Sequence, residues 1–345
     1  MQALSKVEDP ELHKDMVTLN MIRDVVVEND DVSLTVVLTT PACPMRDEIT
    51  RRVTDGLHVL GWVDQVNINM TADVRSDKTP ATASLPGVKN ALAVASGKGG
   101  VGKSTVSVNL AVALSRHGAS VGILDADVYG PNIPLMMGAQ GDPVSVQGKI
   151  QPLEAHGIKL MSLGFMLEEG TPVIWRGPMI GGALKQLTAD VNWGNIDYLI
   201  VDLPPGTGDA SLSLAQLVPL VGAVVVSTPQ EVALQDVRRS ISMFERLSVD
   251  VLGIVENMSY YLHDNGDRVE IFGHGGAKDA AEHLQLPFLG EIPLSPIIRK
   301  GGDSGNPITS NKEAPLGDIF MDISAKVAAT VSVKMLEKVE PLPML

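Results

Sequence analysis

The stretch GKGGVGKST at residues 97–105 decides the fold. Gly97, four residues, then Gly102, Lys103 and Ser104 keep the spacing of a phosphate-binding loop, in which glycines let backbone N–H groups approach phosphate oxygens closely. The flanks agree with that reading. Ala91 to Ala95 is a short apolar run of strand character entering the loop, and Val106 to Leu114 has the composition of a buried helix leaving it. Strand, loop and helix in that order aim a helix N-terminus at an anion. Lys103 would then reach the outer phosphates, and the Ser104 hydroxyl would be placed to coordinate magnesium. Lys98 is additional to the pattern and precedes Gly99 and Gly100.

The chain is longer than one average domain at 345 residues, and 44% hydrophobic residues with 33 glycines suit an α/β protein of two domains. A formal charge of -14 with no block of Lys and Arg argues against broad nucleic-acid binding. No apolar run approaches the roughly 20 residues that span a bilayer, and the N-terminus lacks the features of a signal peptide, so the expected location is cytoplasmic. A single cysteine excludes an internal disulfide and restricts any site built from thiolates.

A composition shift at Ser76 to Asn90, SDKTPATASLPGVKN, reads as a linker. It divides the chain into a small α+β domain, 1–75, and a nucleotide-binding domain, 91–345. In the first, Met21 to Glu28 and Asp31 to Thr40 read as paired strands around Asn29-Asp30, the second alternating Val32, Leu34, Val36 and Leu38. A helix with the stripe Met45, Ile49, Val53, Leu57 and Leu60 follows, then a strand near Val63 to Met70, for an order of helix, strand, strand, helix, strand. In the second domain, apolar runs at 120–124, 198–203, 223–227 and 251–255 alternate with helical stretches. That alternation implies a mostly parallel sheet covered by helices, with its ligand at the C-terminal strand edge and a closing helix over 316–338.

Acids stand at two of those strand ends. Asp125 and Asp127 follow Ile123-Leu124, and Asp202 follows Leu199-Ile200-Val201 and precedes LPPGTGD. Asp202 suits the outer sphere of a magnesium ion and Asp127 the orientation of an attacking water. Aspartates at strand ends also serve as turn and helix caps.

Together these segments resemble the deviant-Walker ATPases, and within them the iron-sulfur cluster carriers of the Mrp/ApbC type related to MinD. The resemblance rests on GKGGVGKST, LDADVYGPNIPLMMG at 124–138, IWRGPMIGGALKQL at 174–187, DYLIVDLPPGTGD at 197–209 and VENMSYY at 255–261. LTTPACPMRDEI at 38–49 is similar to a small assembly-factor domain found fused to such carriers. The resemblance implies an α/β P-loop fold and a homodimer that encloses two ATP molecules with Mg2+. The loop residues Gly97, Lys98, Gly99, Gly100, Val101, Gly102, Lys103, Ser104 and Thr105 would hold the phosphates, and Asn257 the adenine. It further implies that Lys98 acts on the nucleotide of the other subunit, as a cation supplied across an interface does in phosphoryl transfer. Lys103 and Asp127 would complete the catalytic set, and Ser104 and Asp202 the magnesium site. Hydrolysis would be slow and coupled to a partner, and the clients would be apoproteins or assembly proteins.

The chain departs from that family at one place. A Cys-x-x-Cys pair is expected shortly after Asn-Met-Ser, and residues 260–268 contain no cysteine. His263 lies near the first expected position, but one imidazole does not replace two thiolates. Cys43 remains. Flanked by Pro41 and Pro44, it is expected at the N-terminus of a helix whose first residue is Pro44, where unpaired N–H groups favour a thiolate and an iron-sulfur ligand. The other reading is a small buried hydrophobe. Besides the carrier, two functions stay open: a MinD-like ATPase switch acting on a protein partner without a cluster, and a kinase- or ligase-like enzyme.

Overall fold

A computed structural model of the chain describes residues 1–76, 85–166, 177–263 and 265–339. They divide into two compact units, Met1–Ser76 with Ala328–Leu345, and Asp77–Val327. Much of the expected linker, residues 77–84, lies outside the described residues, as do Ile174 to Arg176 of the quoted motif and Asp264.

The first unit contains β1 (Ile22–Glu28), β2 (Asp31–Leu38), α1 (Arg46–His58) and β3 (Gln65–Ala72). β1 runs antiparallel to β2 through a turn in which Asn29 has a φ of 56°, and β3 pairs parallel to β2. The period of two in β2 places Val32, Leu34, Val36 and Leu38 on one buried face, against which α1 lays Ile49, Val53 and Leu57. The expected first helix is only a 3-10 turn, Leu4–Lys6. The stripe of α1 also stops short of expectation, since the helix ends at His58 and leaves Leu60 exposed.

The second unit follows in the order β4 (Val88–Ser96), α2 (Lys103–Arg116), β5 (Val121–Asp125), α3 (Ile133–Met136), β6 (Val144–Val146), β7 (Lys149–Gln151), β8 (Leu153–Ala155), β9 (Ile158–Ser162) and α4 (Gly177–Ala189). It continues through β10 (Ile196–Asp202), α5 (Asp209–Leu217), β11 (Leu220–Ser227), α6 (Glu231–Arg246), β12 (Asp250–Asn257), β13 (Tyr261–Leu262) and β14 (Arg268–Val269). The last elements are α7 (Gly276–His283), β15 (Phe288–Ile292), α8 (Pro296–Asp303) and the part of α9 (Pro315–Val339) up to Val327. An eight-stranded sheet has the order β15-β12-β11-β4-β10-β5-β9-β8, and every neighbouring pair is parallel except β8 with β9. Parallel strands covered on both faces must be apolar on both, and β10 and β11 are buried almost throughout. Because β12, β11, β4, β10 and β5 run the same way side by side, their C-terminal ends form one edge. That edge receives the phosphate loop, Asp125, Asp202 and Asn257 together. No helix among the described residues is long and apolar enough to cross a membrane.

Candidate nucleotide site

β4 stops at Ser96 and α2 starts at Lys103, so the loop between them must turn within six residues. Two glycines answer to close approach. A Cβ on Gly97 would come within 2.4 Å of the Asp236 backbone in α6, and one on Gly102, whose φ is 85°, within 2.1 Å of Asn257 Nδ2. The Ser96 hydroxyl closes the turn by donating to the Lys98 carbonyl at 2.9 Å.

Lys103 is buried at the head of α2, and its Nζ lies 2.7 Å from Asp202 Oδ2 and 3.4 Å from Asp127 Oδ2. Ser104 Oγ donates to the same Asp202 oxygen at 2.6 Å, and Ser107 Oγ donates to Asp202 Oδ1 at 2.5 Å. A fully buried carboxylate is tolerable only when paired and hydrogen-bonded, and Asp202 is both. The loop lysine, hydroxyl and strand-end acid expected from sequence are thus brought together. Ser107 is an addition: it sits one turn after Lys103 on the same face of α2, a spacing visible in the sequence once the helix start is known.

Asp125 is the second buried acid. Oδ1 accepts from the Asp127 N–H at 3.2 Å, while Oδ2 accepts from the Ile133 N–H at 3.1 Å and the Ser162 hydroxyl at 3.0 Å. It therefore holds both ends of the loop that carries Asp127. Burial, and after it the neighbouring Asp202 charge, push the Asp125 carboxyl up to about 7. Asp127 itself points at Lys103 and accepts from the Tyr129 N–H at 3.2 Å.

Two adjoining cavities give the site its shape. One, of about 350 Å³, is lined by Lys98, Gly100, Lys103, Ser104 and Asp127. The other, of about 420 Å³, is largely apolar, with Leu135, Met136, Asn257, Met258, Leu294 and Ile298 on its walls. Thr105 and Asn132 border both. A charged, hydroxyl-lined end and an apolar end of this size fit the phosphates and the base of a nucleotide respectively. Asn257 makes a contact that sequence reading did not anticipate: its Nδ2 donates to the Val101 carbonyl at 2.8 Å. Lys98, half-buried at the cavity mouth, makes no side-chain hydrogen bond or ion pair among the described residues.

Where the resemblance places a cysteine pair, the chain forms the β13–β14 hairpin. Arg268 lies 3.8 Å above the Tyr260 ring and 2.9 Å from Glu291, and His263 stacks edge-on to Tyr261 at 5.1 Å. Among the described residues no group of three or more His, Cys, Asp or Glu is placed to hold a metal. The helix start expected at Pro44 is corrected, and the surroundings of Cys43 oppose a thiolate. α1 begins at Arg46, with Met45 and not Pro44 at its boundary, so Cys43 lies in the preceding turn. Burial and, next, the Glu11 carboxylate push its thiol up to about 12, against a smaller opposing contribution from the Met45 N–H.

A phosphate loop at the central strand of a parallel sheet, with lysine and serine converging on a strand-end aspartate, defines a P-loop NTPase. The chain belongs to the family described as NUBPL iron-transfer P-loop NTPase, whose profile matches residues 87–328, and residues 1–70 match that of an iron-sulfur cluster assembly protein. An iron-sulfur cluster carrier protein of Synechocystis is 49% identical over 345 residues, 97% of this chain and 98% of that protein. A solved nucleotide-binding protein from Archaeoglobus fulgidus, in complex with ADP, is 41% identical and superposes with a TM-score of 0.59, covering 67% of this chain and 92% of that one. The cell division ATPase MinD of Pyrococcus furiosus shares the fold at 21% identity, with a TM-score of 0.52 over 73% of this chain and 99% of that one.

Proposed function

We propose that the chain is an ATP-hydrolysing iron-sulfur cluster carrier that passes clusters to apoprotein clients, acting as a homodimer. The observation behind this reading is the convergence of Lys103, Ser104 and Asp202 beneath a loop that also offers Lys98, unpaired among the described residues. The donor set suits magnesium, since Ser104 and Asp202 present hard oxygens to one point. Ser104 would bind the ion directly and Asp202 through water, and the ion would neutralise charge on the phosphates. Lys103 stabilises the outer phosphates, for which it exchanges its carboxylate partners. Asp127 orients the attacking water, whose oxygen bonds to the terminal phosphorus as the bond to the ADP oxygen breaks. Lys98 serves the nucleotide of the second subunit, and turnover stays slow until a partner engages.

The cluster is cargo. With one cysteine per chain, its thiol pushed up by burial, clusters would be held chiefly by thiols of clients or small molecules. The same observation favours a second reading, an ATP-gated switch on a protein partner with no cluster. Anaerobic reconstitution with iron, sulfide and a small thiol, in the native chain and in Cys43→Ala, separates the two. Cluster absorbance that moves to an apoprotein supports the carrier, and failure to hold or pass any cluster leaves the switch.

A further inference from the structure

Helix α6 has three arginines, Arg238, Arg239 and Arg246, balanced by Glu231, Asp236 and Glu245, in a chain whose formal charge is -14. Arg238, Ser242 and Arg246 fall at i, i+4 and i+8 on its exposed side, with Arg239 and Met243 one residue round. With Leu212 and Gln216 of α5, Leu247, and Thr207 of the loop after Asp202, they line a groove of about 640 Å³. Its floor is apolar, from Leu212, Met243 and Leu247, and its rim is arginine. Arg239 meets Asp236 at 2.8 Å and Arg238 meets Glu231 at 3.5 Å, both exposed pairs of the kind that stabilise little and exchange readily. Arg246 makes no side-chain hydrogen bond or ion pair among the described residues.

We propose that this groove docks an acidic amphipathic segment of a partner protein, its carboxylates on Arg238, Arg239 and Arg246 and its apolar side chains on Leu212, Met243 and Leu247. Arginine forks match carboxylates in geometry as well as charge, and an apolar floor adds contact that a free phosphate could not use. The overall negative charge disfavours a nucleic acid in the same place. The groove also adjoins the nucleotide cleft. Gly97 of the phosphate loop is pressed against Asp236 of α6, and the Gly206 N–H, next to Thr207, donates to the Ser96 carbonyl at 2.8 Å. A segment seated here bears on α6 and on the loop after Asp202, the two neighbours of the phosphate loop on that side. Binding at the groove requires neither a cluster nor hydrolysis, so its failure and that of the carrier reading are separate results.

The test titrates the full chain into a fluorescein-labelled helical peptide of Glu and Leu at helix spacing, read by anisotropy, with a Lys and Leu peptide of the same pattern as control. The acidic peptide binds, the basic one does not, and raising salt weakens the complex. Replacing Arg238, Arg239 and Arg246 by Glu lowers affinity at least about tenfold while ADP binding and thermal unfolding stay close to the native chain. Should the triple variant unfold, Arg246→Glu alone, at an exposed position, must still lower it by about threefold. No binding of the acidic peptide, equal binding of the basic one, unchanged affinity in the charge-reversed variants, or displacement of the peptide by inorganic phosphate where chloride at the same ionic strength leaves it bound overturns the proposal.

Discussion

Asn257 at the end of β12 holds the phosphate loop: its Nδ2 donates to the Val101 carbonyl at 2.8 Å across 156 residues of sequence. The neighbouring Glu256, fully buried, accepts from the N–H groups of Gly275 and Ala277 at 3.0 and 2.7 Å and from the Ser259 hydroxyl at 2.6 Å. One strand end thus fixes both the loop and the start of α7. Asn257→Ala leaves the Val101 carbonyl unpaired, at a cost of about 1–2 kcal/mol. ADP affinity measured by calorimetry should fall about tenfold, and Asn257→Asp, which sets a carboxylate against that carbonyl, should fall further.

Lys98 and Lys103 share a loop and differ in surroundings. Lys103 neutralises Asp202 and Asp127, so Lys103→Ala strands buried carboxylates and should cost about 3–5 kcal/mol of stability along with nucleotide binding. Lys98→Ala should leave unfolding within about 0.5 kcal/mol of native and ADP affinity nearly unchanged, yet lower ATP turnover at least about a hundredfold. If Lys98 works across the dimer, mixing inactive Lys98→Ala and Asp127→Ala chains rebuilds one intact site per mixed dimer and returns about a quarter of native turnover. No recovery in a mixture shown to exchange subunits would place Lys98 at its own subunit's nucleotide.

Much of this was legible in the sequence, and for definite reasons. The loop spacing, the buried strands and the acids at their ends are local patterns, so the parallel sheet and the set Lys103, Ser104, Asp127 and Asp202 could be read directly. What escaped reading depends on where distant segments meet. Ser162 reaches Asp125, and Asn257 reaches Val101, only once β9 and β12 are placed in the sheet. The helix start beside Cys43 was misplaced because Pro44 signals one, whereas the helix begins two residues later, and Glu11 comes from elsewhere in the unit.

Asp125 should give the protein a recognisable pH response. Its carboxyl ionises at about 7 when folded, against an ordinary value of 3.8, so between those values the native state holds a proton that the unfolded chain has lost. The contribution to stability therefore declines as pH rises from about 4 to about 7 and is level above that. Thermal unfolding of the native chain and Asp125→Asn from pH 5 to 8 should show the native advantage shrinking with rising pH. Asparagine cannot accept at both ends as the carboxylate does, so the loop carrying Asp127 loosens. Turnover should fall at least about tenfold with ADP affinity changed far less.

Cys43 provides the last prediction, because its environment opposes the reactivity that its place in the sequence suggests. A thiol pushed up to about 12 by burial and by Glu11 is almost wholly protonated at pH 8, whereas the unfolded chain exposes an ordinary cysteine. The thiolate fraction then differs by about a thousandfold, partly offset because the more basic thiolate is the better nucleophile. Iodoacetamide at pH 8 should alkylate the folded chain some tens of fold more slowly than the urea-unfolded chain, followed by intact mass. Glu11→Gln removes the second cause while leaving burial in place, so it should speed alkylation of the folded chain without reaching the unfolded rate. Glu11 itself is pushed up to about 7 by burial and then by Asp9, so the gap between Glu11→Gln and the native chain should widen as pH rises through 7. Rapid alkylation of the folded native chain would return Cys43 to the set of thiolates available for a cluster.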